Sequence, residues 1–314
     1  VPLGIDLGSA NVLTSGCGKG IVLNEPSVVA VDTDKDKVVA VGTEAYKMVG
    51  RTPGNIRVIR PLKNGVIADF DITEEMLSYF IEKLNVKGFM SKPNILICAP
   101  TGVTSIEQKA IIQAAEKSGG GRVYLDFEPK VAAVGAGLDI FRPQGNMVID
   151  IGGGTTDIAV LSMGEIVTSR SLRWAGDKMN QAIASYIKRS KNLLVGQHTA
   201  EQIKIQLGTA FEADPTKTMT VRGRDMVDGL PKQVTINELE VQKALEDGLM
   251  SIVAATKEVL EQTPPELSAD IIDRGIMLTG GGALLKNIDK LITYYLQVPV
   301  LKADEPLEAV ANGT

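Results

Sequence analysis

Two aspartates, each at the end of a short apolar run and followed by glycine and a hydroxyl side chain, are the residues of this sequence best placed for chemistry. Met147-Val148-Ile149-Asp150-Ile151 leads into Gly152-Gly153-Gly154-Thr155-Thr156-Asp157, and Gly4-Ile5-Asp6-Leu7 leads into Gly8-Ser9-Ala10-Asn11. Both apolar runs predict buried strands. Glycines directly after a strand let the backbone approach a ligand and aim its N–H groups at it, which suits an anion such as phosphate. A carboxylate beside phosphate repels it, so a divalent cation between them reconciles the pattern. Taken alone, the Gly152–Gly154 turn fits a glycine-rich hairpin without a ligand equally well. Two such turns in one chain point instead to two similar halves clasping one polyphosphate. A third, Met277-Leu278-Thr279-Gly280-Gly281-Gly282-Ala283, follows another apolar run and opens a helical pattern. Such a turn suits a flat base or ribose pressed against bare backbone.

Composition narrows the classes. The chain has 314 residues, 44% of them hydrophobic and 23% charged, enough to bury two cores. A net charge of −5 imposes no basic face, and no nucleic acid partner is expected. The two cysteines, Cys17 and Cys98, lie far apart, which favours a reduced, intracellular protein over a disulfide scaffold or a zinc site. Neither a signal peptide nor an apolar run long enough to span a bilayer is visible. The sequence lacks GxxxxGK[ST], so phosphate is not held by a P-loop.

Strands and helices alternate through both halves, which predicts an α/β architecture with a cleft between related lobes. Strands are expected over 2–7, 12–15, 21–30 and 38–41, then an irregular excursion over 50–67. Thr73 is expected to cap a helix with Met76, Leu77, Phe80 and Ile81 on its apolar face. Ser105-Ile106-Glu107-Gln108 and Thr199-Ala200-Glu201-Gln202 read as capping boxes, and Asn237 as the cap of a long helix ending before Pro264-Pro265. The second half replays the first, with strands over 146–151, 157–162 and 166–173. Lone His198 reads as a loop residue, and Trp174 as packing or interface.

In their order, the three glycine turns resemble the phosphate-1, phosphate-2 and adenosine motifs of the actin, heat-shock chaperone and sugar-kinase superfamily. Three further stretches, at 19–29, 60–70 and Arg222-Gly223-Arg224-Asp225, are similar to those of the bacterial actin MreB/Mbl family, and the similarity runs over essentially the whole chain. The resemblance implies an actin-like ATPase fold, with two related ribonuclease H-like lobes around a nucleotide cleft. Lobe I would cover 1–140, with a small subdomain at about 31–65 and residues 303–314 returning to it. Lobe II would cover 141–302, with a small subdomain at about 178–240. Further residues are expected beyond Thr314 and a few before Val1.

For the site, the resemblance implies ATP or ADP with Mg²⁺. Asp6 and Asp150 would hold Mg²⁺ through its water shell, which that ion largely keeps. Ser9 and Asn11 with the Gly8 and Ala10 backbone would face the β-phosphate, and Gly152, Gly153 and Gly154 the γ-phosphate. Ser9 stands where the family more often has Thr, and the hydroxyl is retained. Glu128 matches the glutamate that positions the attacking water and Thr155 the threonine that assists it. From the residues alone, Glu128 reads as a solvated charge at a helix start. Glu201 and Lys204 match a pair contacting ribose and base, and read equally well as a surface helix pair. Gly280, Gly281, Gly282 and Ala283 would take the adenosine.

A homopolymer filament is the implied assembly, cytoplasmic and peripheral on the inner face of the cell membrane. It would govern cell shape by guiding wall synthesis, or shape and motility in a wall-less cell, alongside membrane proteins of the shape machinery. Phe89 and Met90, between Lys87 and Lys92, would by the resemblance touch the membrane; the residues alone favour their folding back on the preceding helix. A small-molecule kinase and a chaperone-type ATPase are the competing readings. A chaperone needs a substrate-binding domain for which this chain has no room. A compact sugar kinase usually carries a Cys/His zinc cluster that these cysteines do not supply.

Overall fold

The computed structural model describes residues 2–16, 18–84 and 92–314. Cys17 and the proposed membrane residues Phe89 and Met90 lie outside them.

Two five-stranded sheets dominate, and they share one topology. In the first, Leu3–Leu7, Asn11–Gly16 and Gly20–Pro26 form an antiparallel meander, extended on the other side of Leu3–Leu7 by the parallel strands Ile95–Ala99 and Val123–Phe127. In the second, Asn146–Ile151, Thr156–Ser162 and Glu165–Leu172 form the meander, extended by the parallel strands Ile276–Thr279 and Val300–Lys302. Each aspartate therefore occupies the same place, one residue from the end of its sheet's central strand. Leu3, Ile5 and Ile97 build one apolar core, and Met147, Ile149 and Leu278 another. A central strand covered on both sides must be apolar except where it meets a site, so a carboxylate at its end needs a partner.

Each sheet is accompanied by a smaller one. Lys37–Val41, Val29–Asp32 and Ile56–Ile59 form a three-stranded sheet joined to the helix Thr43–Lys47, and Leu193–Leu194, Thr218–Asp225 and Pro231–Asn237 form the other. The expected single strand over 21–30 is two strands in different sheets, because the chain turns at Ser27, whose hydroxyl donates to the Gly8 carbonyl at 2.5 Å. The expected irregular excursion contains Ile56–Ile59 and the ribbon Leu62–Lys63 with Val66–Ile67.

Helix starts shift by a few residues. Asp69 caps Phe70–Lys83, its carboxylate accepting from the Ile72 N–H at 3.1 Å, while Thr73 lies in the first turn and donates back to the Asp69 carbonyl. Thr104 with Glu107 forms the capping box of Ser105–Lys117, one residue earlier than expected. Gln197–Leu207 begins at Gly196 without a side-chain cap, which puts Thr199 inside the helix. Asn237 does cap Glu238–Glu261, in a reciprocal box with Glu240. Near the end, Ala309–Gly313 crosses Glu128–Gly135 so closely that a Cβ on Gly135 would lie 1.7 Å from the Ala309 carbonyl oxygen. Glycine there lets the two backbones meet and fixes the helix that begins at Glu128.

Candidate nucleotide cleft

A cavity of about 570 Å³ lies between the two large sheets. Asp6, Gly8, Ser9, Ala10, Asn11, Glu128, Asp150, Gly152, Gly153, Gly154, Thr155, Glu201, Lys204, Gly280, Gly281 and Gly282 all line it. Residues scattered from 6 to 282 thus meet at one place because the duplicated sheets face each other there.

Glycine is required in the opposed turns by space as much as by torsion. A Cβ on Gly153 would come within 2.3 Å of the Ala10 Cβ, and one on Gly154 within 2.4 Å of the Ser9 hydroxyl. The first two turns therefore touch across the cavity, the glycine backbone of one against the Ser9 and Ala10 side chains of the other. Gly152 is different from its neighbours: its N–H is taken by the Thr155 carbonyl at 2.9 Å, closing the turn. That amide is thus not free for a ligand, which leaves Gly153 and Gly154 as the stronger members of the expected trio. The turn is braced from behind by the start of Gly176–Lys191, where Gly176 N–H donates to the Gly152 carbonyl at 3.1 Å and Asp177 N–H to the Gly153 carbonyl at 2.8 Å. Ser9 accepts from the Gly65 N–H at 2.9 Å, and its carbonyl accepts from Arg60 at 3.2 Å.

In the third turn, Gly280 has φ of +81° and its N–H donates to the Pro306 carbonyl. A Cβ on Gly282 would strike the Ile151 side chain at 2.2 Å. This third turn is thereby packed directly behind the Asp150 strand. Ala283 is fully buried and is not a wall of the cavity, so it supports the turn from inside.

Four carboxylates crowd together here, three of them on the cavity wall and Asp157 behind it. Glu128 and Asp150 are buried, Asp157 wholly so, and Asp6 opens onto the cavity. Enclosure, then the charge of Asp150, pushes Asp6 up to about 8. Asp150 is pushed up to about 6 by burial, partly offset by the Thr279 hydroxyl, which donates to it at 2.7 Å. Burial, then Asp157, Asp6 and Asp150 in turn, holds the Glu128 carboxyl well above the usual carboxylate range. Asp157 accepts from both the N–H and the hydroxyl of Thr101 at 2.8 Å, and its other oxygen is buried with no hydrogen bond of good geometry among the described residues. Negative charge so confined calls for a cation. Asp6 and Asp150 both line the cavity and are the carboxylates that could hold Mg²⁺ through its water shell, an ion that takes few protein carboxylates; among the described residues no group of three or more His, Cys, Asp or Glu side chains is arranged to hold a metal.

Several walls were not expected from the sequence. Gly65, Asp177, Lys217, Glu238 and Lys286 also line the cavity, the last two paired at 2.8 Å. Asp177 sits in a first helical turn, where an acidic residue is common, and nothing local marks it as part of a site. Exposed Ile205 and Leu284 supply apolar surface near Lys204 and the third turn. His198 lies in the first turn of Gln197–Leu207 rather than in a loop, and Trp174 packs on the second core over Gly248.

Duplicated sheets with a glycine-walled cleft between them define an actin-like protein, and solved structures agree. MreB5 of Spiroplasma citri bound to ADP superposes with a TM-score of 0.94 at 40% identity, covering 99% of this chain and 94% of that one. Its AMPPNP-bound form gives the same score and identity, with 93% of that chain covered. The MamK double helical filament shares the fold at a TM-score of 0.82 and 19% identity, covering 99% and 96%. The chain belongs to the MreB/Mbl family, whose model, described as MreB/Mbl protein, matches residues 1–314. It is 63% identical to the cell shape-determining protein Mbl of Bacillus subtilis strain 168, over 99% of this chain and 94% of that protein. Against the cell shape-determining protein MreB of Escherichia coli K12 the identity is 48%, over 99% and 91%. No described helix is long and apolar enough to cross a membrane.

Proposed function

We propose that this chain binds ATP with Mg²⁺ in the cleft, hydrolyses it slowly and polymerises into filaments on the inner face of the cell membrane that govern cell shape. The single observation carrying this is the pair of aspartates at equivalent strand ends, opposed across two glycine turns that touch. Family membership and the ADP- and AMPPNP-bound MreB5 structures support it. We take the halves as lobe I, 1–140 with 303–314, and lobe II, 141–302, with small subdomains at about 31–65 and 178–240.

In this reading Ser9, Asn11 and the Gly8 and Ala10 backbone face the β-phosphate, and Gly153 and Gly154, with Gly152 closing the turn, face the γ-phosphate. Asp6 and Asp150 would hold Mg²⁺ through water, and the ion, when bound, offsets the phosphate charge. Glu128 and Thr155 orient the attacking water, with the helix start at Glu128 held by its crossing with Ala309–Gly313. Glu201 and Lys204 meet ribose and base, which lies between Ile205, Leu284 and the bare Gly280–Gly282 backbone. Phosphoryl transfer asks a protein mainly for position and charge, and these residues supply both.

Sedimentation tests the assembly. With ATP and no other substrate, the native protein is expected to pellet and to carry liposomes down with it, while the Phe89→Ser, Met90→Ser double variant still polymerises but leaves liposomes in the supernatant. Many weak contacts along a polymer add up, so binding to lipid should track assembly. Turnover of ATP only on adding a sugar, with no pellet, would favour a kinase and refute the filament.

A further inference from the structure

One bond joins the two halves at the wall of the cleft. The Tyr46 hydroxyl donates to a carboxylate oxygen of Glu201, and lies 3.3 Å from Nδ1 of His198. The Tyr46 and His198 rings meet edge to face, with centroids 5.8 Å apart. Tyr46 belongs to the small sheet's helix Thr43–Lys47, whereas Glu201 and His198 belong to Gln197–Leu207 in the other half. Glu201 is a wall of the cavity and Tyr46 is not.

Both ends of this bridge are held firmly. On one side, the Glu25 carboxylate accepts from the Thr43 N–H at 3.0 Å and from Lys83, and Gly42, at φ +67°, leaves no room for a Cβ beside Glu25. The helix carrying Tyr46 is thereby fixed to the body of the first half. On the other, Lys204, one turn beyond Glu201, donates to the Gly176 carbonyl at 3.2 Å, at the start of the helix that braces the second glycine turn. The halves are also joined where Thr101 donates to Asp157, neither of which lines the cavity. The Tyr46 bond, by contrast, is made to a residue of the cavity wall, so parting the halves beside the cavity must break it.

We propose that Tyr46 is a gate: its bond to Glu201 and its contact with His198 latch the two lips together, so that nucleotide exchange waits for the latch to open. The gate rests on reading the cleft as a nucleotide site. A hydrogen bond to a carboxylate is stronger than a neutral one, and here it is partly shielded from water. The tyrosine is also kept in its donating form, its hydroxyl pushed up to about 12 by burial and then by Glu201. Because Tyr46 stands outside the cavity wall, it acts on opening rather than on the bound ligand, and a latch of that kind slows entry and exit together.

Stopped-flow exchange of N-methylanthraniloyl-ADP with the full chain tests this. Tyr46→Phe keeps the half-buried ring and removes the hydroxyl, so an unchanged melting temperature is expected. Release should accelerate about tenfold, with the association rate rising in the same direction. Adding Tyr46→Phe to Glu201→Ala should give no further acceleration, since the two share one bond. Release at the native rate in Tyr46→Phe, faster release with an unchanged association rate, or additive effects in the double variant would each overturn the gate, while leaving the nucleotide site standing. Failure of the native protein to bind the labelled ADP would overturn the nucleotide reading and the gate with it.

Discussion

Replacing Glu128 by alanine is expected to slow phosphate release from ATP by about 10²- to 10³-fold while nucleotide affinity stays within about threefold of the native value. The size follows from what a positioned acid or base contributes to proton transfer and from the cost of losing the water's orientation. The asymmetry follows from the site: Glu128 lines the cavity floor beside Thr155, whereas the turns at Ser9 and Gly153 that would hold the phosphates remain intact. Loss of rate without loss of affinity is the mark of an interaction made in the transition state. Stability should not fall with it, because the variant removes one of four crowded carboxylates. In the cation-free protein burial, then Asp157, Asp6 and Asp150, holds the Glu128 carboxyl well above the usual carboxylate range. A bound divalent cation would favour its ionised, water-orienting form. A phosphate-release assay beside nucleotide titration checks both halves of the expectation, and native turnover in the variant would remove Glu128 from the reaction.

Asp150→Ala, and Asp6→Ala in the same way, should weaken ATP binding in Mg²⁺ by about 10- to 100-fold and abolish the gain in affinity that Mg²⁺ gives the native protein. Calorimetry with and without Mg²⁺ reads this, and an unchanged Mg²⁺ effect would exclude the residue from the site. The same carboxylates set a pH dependence. Asp6 is pushed to about 8 and Asp150 to about 6, from an ordinary value of 3.8. The unfolded chain gives up these protons near pH 4 and the folded chain keeps them longer, so the folded state binds more protons across that window. Stability therefore falls as pH rises from about 4 to about 8 in the protein without Mg²⁺ or nucleotide. Thermal melts should show this slope in the native protein and a flatter one in Asp150→Ala, where Asp6 has lost its charged neighbour.

The central features were legible because they depend on local chemistry. A strand, an aspartate and a glycine turn can be read at Asp6 and Asp150 from residue order alone, and the matching position of each in its sheet follows from the repeat. Asn237 as a cap was legible for the same reason, since its partner Glu240 is three residues away. What escaped depends on contacts made far along the chain. Between Ile21 and Ala30 the pair Pro26-Ser27 signals a break but not a change of sheet; the turn at Ser27 is set by its bond to Gly8. Asp177 joins the cavity only because Gly176–Lys191 starts against the Gly152–Gly153 backbone. Tyr46 and Glu201 meet across 155 positions of sequence, so neither residue advertises the other. The third glycine turn illustrates the limit of spacing: Gly280–Gly282 line the cavity, while Ala283, next in sequence, turns inward.

A crystal structure with AMPPNP and Mg²⁺ would test the account most directly. It should place the γ-phosphate between Ser9 and Gly153–Gly154, the metal within a water's reach of Asp6 and Asp150, and an ordered water beside Glu128, with the base between Ile205 and Leu284. A nucleotide bound outside this cleft, or one whose phosphates point away from the two glycine turns, would contradict it.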